Sequence, residues 1–339
     1  MHVFTCQVGC GVMCHSLYGV YLLFITTTWA SRCSILQMWA MREPREVGTS
    51  NKIPTFFFLY GYRFGESTGK VGYRMVLPKW LDDLIFRDLH AVYSPSYGNM
   101  TNIDDDKEKI LNYLGTYFPR SYVESYCIFS EFFKKNPSCF TDKEVLSIFD
   151  FGSGTGGEII GLLTAIGDYG PHLQCVNILA LDGNQYALRC YERIIEKTKE
   201  HISFQVDSTS SPIVIDDFYD LSILDTIITS GFDMIISFKA ICEFAAKQQF
   251  DEENPYEHIV KFFLPKLNDG GLILLEDITT KDNVSKQWLP QLMDNGLQTT
   301  NCSLLGKNEG YNQEFSITHS HRQNDTSKVA WRMIKPIRK

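Results

Sequence analysis

The chain has 339 residues, enough for one large α/β domain plus a further segment, and its 44% hydrophobic and 21% charged content excludes the disordered class. Its net charge of −8 is unevenly spread, with 8 Lys+Arg against 3 Asp+Glu in residues 1–80 and 24 against 37 in the remainder. An acidic main region excludes non-specific attraction of polyanions over the whole surface, so DNA is not expected as a partner.

Residues 1–31 contain no Lys, Arg, Asp or Glu, and Leu17–Ile25 is nearly continuous apolar sequence. A secretory signal needs a positive start and a small-x-small cleavage site. The first positive residue here is Arg32, and Thr28-Trp29-Ala30 is a poor site. Gly19 and Thr26-Thr27-Thr28 interrupt the run that a membrane span of about 20 apolar residues would need, so stable membrane insertion is not expected. Of ten cysteines, Cys6, Cys10, Cys14 and Cys33 lie in the first 33 residues and the other six lack paired spacing. That usage predicts reduced thiols in a cytoplasmic protein and no metal centre. Residues 1–78 show no clear periodicity and are expected to form a poorly ordered or accessory extension. A chain beginning at Lys79 should therefore keep its ligand; the competing reading is an anchor built on Leu17–Ala30.

From Lys79 the pattern becomes regular. Leu81, Leu84, Ile85 and Leu89 recur at helical spacing, residues 94–105 read as a loop, and Lys107 to Phe133 is again helical. Pro119 is expected to start a second helix there, since proline suits a first turn. Residues 79–140 thus form a helical lead-in. Beyond it, strands and helices alternate. Strand Leu146–Asp150 precedes helix Glu158–Ile166, and strand Val176–Asp182 precedes helix Asn184–Lys199. Strand Ile202–Val206 follows, then strand Asp233–Ser237. Helix Pro255–Leu267 leads through Asn268-Asp269-Gly270-Gly271 to strand Leu272–Glu276. Phe315–His319 and Val329–Ile334 read as a terminal antiparallel pair. The expected fold over residues 141–339 is α/β: a doubly wound, mostly parallel, seven-stranded sheet preceded by a helical extension.

The chemistry concentrates at Asp150-Phe-Gly152-Ser-Gly154-Thr-Gly156-Gly157-Glu158, where a strand ends in an acidic residue and a glycine-rich turn opens a helix. Glycine permits the sharp turn and close approach to a ligand, and the helix N-terminus favours a negatively charged group. Gly152-x-Gly154-x-x-Gly157 also satisfies the dinucleotide fingerprint, which alone is a weak signal. Asp150 discriminates. It would repel a pyrophosphate and attract an ammonium or sulfonium. Asp182, ending the second strand, suits either ligand because both carry ribose hydroxyls.

Asp150-x-Gly152-x-Gly154-x-Gly156 resembles the first motif of the class I S-adenosylmethionine (SAM) dependent methyltransferases. The resemblance spans about residues 108–339. It implies that Asp150 and the backbone of Gly152, Ser153, Gly154 and Gly156 hold the methionine half of SAM, and that Asp182 accepts from the ribose hydroxyls. It also implies that Asp207 lies near the adenine, and that Ser237 to Glu243 face the cofactor and acceptor. Lys239, Glu243 and Tyr122 are the catalytic candidates. A capping role for Asp207 and a helix-surface role for Glu243 stand beside those readings.

Short segments, Tyr113-Leu114 with Pro119-x-x-Tyr122, Ile241-Cys242-Glu243-Phe244 and Leu275-Glu276-Asp277, also look like the mitochondrial small-ribosomal-subunit assembly methyltransferase-like family. That family has an arginine two positions before the proline; here Tyr117 stands there and Arg120 follows. Its cysteine cluster is absent, with only Cys302 after the fifth strand. The expected function is methyl transfer from SAM to an acceptor, small molecule, protein or RNA, that the residues do not identify. The alternatives are a non-catalytic SAM-binding assembly or regulatory module, and a dinucleotide-binding oxidoreductase.

Overall fold

Strands alternating with amphipathic helices assemble into one mixed, mostly parallel sheet. The computed structural model describes residues 74–95, 106–244, 253–281 and 286–337, together with the backbone of five strands before residue 77. The chain divides into two units, Met1–Phe58 and Leu59–Lys339. In the first, strands Gln7–Val8, Val12–Leu17 and Val20–Ile25 form a small antiparallel sheet.

The second unit holds a ten-stranded sheet. Its strands are β1 (Tyr62–Gly65), β2 (Val71–Val76), β3 (Val145–Phe151), β4 (Cys175–Asp182), β5 (Gln205–Pro212), β6 (Phe232–Phe238), β7 (Leu267–Ile278), β8 (Cys302–Lys307), β9 (Gln313–His319) and β10 (Arg322–Pro336). The spatial order is β5-β4-β3-β6-β7-β10-β9-β2-β1, with β8 also paired to β10. Strands β3 to β7 are mutually parallel, and β10 runs antiparallel to β7 and to β9. Counted from β3, and setting β8 aside, the central seven read 3-2-1-4-5-7-6. A reversed last strand inserted beside the fifth departs from the all-forward 3-2-1-4-5-6 of dinucleotide folds. It is the terminal antiparallel pair anticipated from the sequence.

Two apolar layers cover the sheet because its residues alternate between faces. Leu146, Ile148, Ala180, Met234, Ile236, Leu272 and Leu274 pack under helices α1 (Lys107–Lys135) and α2 (Gly157–Tyr169), while α3 (Gln185–Thr198) adds Tyr191. Phe149, Phe151, Ile235, Ile273 and Leu275 pack on the other side against α4 (Pro255–Phe263) and α5 (Leu289–Gln298). Asp106 caps α1 and Asn254 caps α4 through their side chains.

Three expectations are corrected. Pro119 does not begin a second helix: α1 runs unbroken for 29 residues with Pro119 inside it. A proline inside a helix loses one hydrogen bond and crowds the carbonyl four residues earlier; the helix continues through it because both flanks are packed, with Leu114, Phe118, Pro119, Tyr122 and Val123 all buried. The third strand starts at Gln205 and runs to Pro212, later than Ile202–Val206. β2 belongs to the sheet, pairing in parallel with β9. Met75 and Leu77 are buried in the main core, so a chain starting at Lys79 would lose both. The rest of the expectation for residues 1–78, like much of the loop expected at 94–105, falls outside the described residues. Among the described residues no helix is long and apolar enough to cross a membrane.

Arg120 ties α1 to β10. Its guanidinium donates to both oxygens of Asp325, at 2.9 and 2.7 Å, and Tyr93 donates to the same carboxylate at 3.0 Å. The position is thus structural.

Candidate functional site

Face alternation places Asp182, Asp150 and Glu276 on the α1/α2 side of the sheet, at the carboxyl ends of β4, β3 and β7. Between the last two, β6 ends at Phe238 and Lys239 follows. The elements above supply two more carboxyls: Glu158 from the first turn of α2 and Glu124 from α1. The result is an acidic shelf of five carboxyls containing one lysine.

Asp150 is fully buried, and among the described residues neither of its oxygens receives a hydrogen bond. Burial pushes its carboxyl well above the usual range, the adjacent Glu158 carboxyl partly opposes that, and the charge of Asp182 adds to it. Glu158 is likewise raised by burial and by Asp150. Two carboxyls so placed cannot both ionise without a compensating cation. The hydroxyls of Ser153 and Ser237 are also buried without partners.

The turn is shaped by its glycines. Gly152, Gly154 and Gly156 adopt φ of 77°, 47° and 83°, a region where a Cβ is strained. A Cβ on Gly156 would come 2.3 Å from the Tyr191 ring. Its amides are largely committed inward. Gly152 and Ser153 donate to the Leu181 carbonyl, Gly156 to that of Ser153, and Gly154 to the Asp182 carboxylate at 2.8 Å. Asp182 also accepts from Asn184 at 2.7 Å; each oxygen retains lone pairs for further donors. Burial raises its carboxyl, opposed by those two backbone bonds.

Lys239 adopts φ of +56°, its amide donating to the Glu276 carbonyl at 2.9 Å. Its ammonium donates to Glu124, approaches Ser121 Oγ at 3.4 Å and lies 3.9 Å from Glu276. Tyr113, Tyr117, Ser121 and Glu124 share one stripe of α1 by their i, i+4 and i+3 spacing, so this stripe roofs the shelf. Glu276 is raised well up by burial and by Glu124, with Lys239 opposing.

Of the sequence candidates, Asp150, Gly152, Ser153, Gly154, Gly156 and Asp182 come together, with Ser237 on the opposite face of the neighbouring strand. Asp207 does not join them. It pairs with Asn177 near the start of β5 and accepts from Gln205, at the far end of the strands. The carboxyl end of β5 instead brings Pro212 beside Asp182 and leaves Val214 exposed. Tyr122 is also no site residue: it is wholly buried in the α1–α2 interface, and its hydroxyl faces Thr164. Glu243 stands on the short helix Ile241–Phe244. Loss of solvation and then the charges of Asp277 and Asp182 push it up to about 8, although it keeps an exposed side that tempers the shift. Asp277 itself accepts from Tyr256, Cys242 and Ile278. Sequence reasoning left Tyr113, Glu124, Glu158 and Glu276 without roles. The two-residue alternation along β7 and the α1 spacing were the available signals.

Among the described residues no group of three or more His, Cys, Asp or Glu side chains is arranged to hold a metal ion. Two open depressions lie elsewhere, one at Gly270, Gly271 and Lys335 and one at Phe86, Arg87 and His321. Above the turn, Tyr113 fills the space: its hydroxyl is 3.2 Å from where a Cβ on Gly154 would stand.

No family model matches the chain, and no curated protein matches it. Among solved structures it is similar to TrmN from Thermus thermophilus, at 12% identity and a TM-score of 0.36 over 65% of this chain and 52% of that one. Magnesium protoporphyrin IX methyltransferase from Synechocystis PCC 6803, crystallised with SAH, gives 8% and 0.38 over 74% and 92%. The cyclase SpnF gives 10% and 0.39 over 77% and 95%. The chain spans about half the length of TrmN. The strand order itself shows a doubly wound, mostly parallel α/β sheet with an antiparallel last strand.

Proposed function

We propose that the chain binds SAM at the glycine turn and transfers its methyl group to an acceptor. The observation that carries this reading is Asp150, wholly buried, without a hydrogen-bond partner among the described residues and raised together with Glu158. Such a pair favours a ligand with positive charge. A dinucleotide pyrophosphate would meet these carboxyls and four turn amides already committed to Leu181, Ser153 and Asp182. The residues present therefore fit SAM better than a dinucleotide. Asp150 and Glu158 would hold the methionine end, and Asp182 the ribose. The exposed apolar rim at Val214 would flank the adenine.

When bound, SAM supplies an electrophilic methyl group activated by its sulfonium. What the chain contributes is placement and exclusion of water, which suffice for much of the acceleration when the reacting atoms are aligned. Tyr122 is sequestered and Lys239 is committed to Glu124, so Glu243 is the remaining acid–base candidate. The scarcity of free acid–base groups also supports the second reading, a SAM-binding module without turnover. Incubating the protein with methyl-labelled SAM and a cell extract separates the two. Label in RNA, protein or small molecules that disappears with Gly154→Asp supports the enzyme, and unlabelled fractions support the module.

Affinity for SAM should rise with pH above the ordinary carboxyl range, as the raised Asp150–Glu158 pair ionises. The sign follows from the raised carboxyls: protonated they are neutral and gain nothing from a cation, and ionised they attract it. Without ligand the same raised groups make the folded state lose stability as pH rises through their range. Calorimetry in two buffers of different ionisation heat should show proton release on binding; proton uptake would contradict the assignment.

A further inference from the structure

We propose that Tyr113 is the hydrogen-bond donor for the carboxylate of SAM, and so the residue that selects a ligand with an intact amino-acid end. The inference rests on the SAM reading above. That end of SAM carries an ammonium and a carboxylate together. The carboxyls of Asp150 and Glu158 suit the ammonium and repel the carboxylate, so a ligand held here needs a donor close by. Four of the turn amides and the nearby ammonium are taken. The amides of Gly152, Ser153, Gly154 and Gly156 bond internally, and the Lys239 ammonium bonds Glu124.

Tyr113 is left. It lies on the α1 stripe that roofs the shelf, and its hydroxyl reaches the Gly154 backbone, 3.2 Å from the position a Cβ would take. Among the described residues that hydroxyl makes no hydrogen bond. Ser153 Oγ is another hydroxyl of the turn, but Ser153 is 1% exposed and lies beneath the backbone, whereas Tyr113 stays partly open. Burial first, then the charges of Glu243, Glu158 and Asp182, raise the phenol well up, so it keeps its proton and can donate. The ring is held independently by Tyr117, at 5.0 Å between centroids, so phenylalanine should preserve its packing.

The test is calorimetry of the full chain and of Tyr113→Phe with two ligands, SAM and decarboxylated SAM, alongside the ligand-free melting temperature. Tyr113→Phe should weaken SAM roughly tenfold or more, as loss of a hydrogen bond to a charged group does. It should leave decarboxylated SAM and the melting temperature unchanged. Equal weakening of both ligands, or of neither, overturns the assignment while leaving the cofactor reading intact. Failure of the unaltered chain to bind SAM overturns both.

Discussion

Alanine at Gly161 is expected to destabilise the protein by about 2–3 kcal/mol, the scale of overpacking in a closed interface. Helix propensity alone argues the opposite, since glycine to alanine in an open helix stabilises by about 1 kcal/mol. The contact decides the sign. A Cβ on Gly161 would lie 2.4 Å from the Tyr122 carbonyl oxygen and 3.0 Å from Ser125 Cβ, and one turn earlier a Cβ on Gly157 would lie 2.5 Å from the Phe118 carbonyl oxygen. The two carbonyl oxygens are backbone atoms of α1 and cannot swing aside. Ser125 also donates to the Glu158 carbonyl across the same crossing, at 2.6 Å. The two glycines bring α1 close enough to α2 to roof the acidic shelf. Urea unfolding of Gly161→Ala measures the effect; a neutral or stabilised variant would mean that the helices do not cross this closely.

Lys239→Met should be at least as damaging. It leaves Glu124 and Glu276, both wholly or nearly wholly buried, without their cation. Removing one partner of a buried ion pair costs about 3–5 kcal/mol. The loss should be largest at high pH. Glu276 is already raised by burial and Glu124, so its contribution favours folding below its unfolded range and turns against it as pH rises through the folded one. Without Lys239 that opposition grows, and acidification, by protonating the carboxyl, should narrow the gap between variant and parent. Denaturant midpoints across pH would show this. A gap that widens on acidification would contradict the buried network.

Much of this was legible in the sequence because the signals were local. The apolar runs of β3, β4, β6 and β7 and the glycine turn declared themselves, and Asp150 was recognisable because a carboxylate at the mouth of such a turn excludes a pyrophosphate. The misplacements have specific causes. The stretch Asp207-Ser-Thr-Ser-Ser211 reads as a turn, yet it forms the edge strand β5, where one face meets solvent and polar residues are tolerated. The strand therefore ends later, and Asp207 falls at its wrong end. Pro119 reads as a helix start because the burial on both sides of it, which keeps one helix continuous, is tertiary and not local. The partners of Asp150 and Lys239 were hidden for a different reason. Glu158, Glu124 and Glu276 sit on separate elements, and only the crossing of α1 over the strand ends brings them onto one shelf. Tyr122 and Tyr113 differ by nine residues, and it is the helix face, not the residue type, that sends one into the core and the other over the turn.

The central claim is that the glycine turn takes a cationic methyl donor and not a dinucleotide. Titrating the full chain with SAM and with NAD by calorimetry, and repeating the SAM titration with Asp150→Asn, tests it most directly. The expected result is binding of SAM, no binding of NAD, and SAM affinity reduced more than tenfold in the variant, in line with loss of a charge-assisted contact worth about 1.5–3 kcal/mol. Tight NAD binding with none for SAM, or SAM binding indifferent to Asp150→Asn, would contradict it.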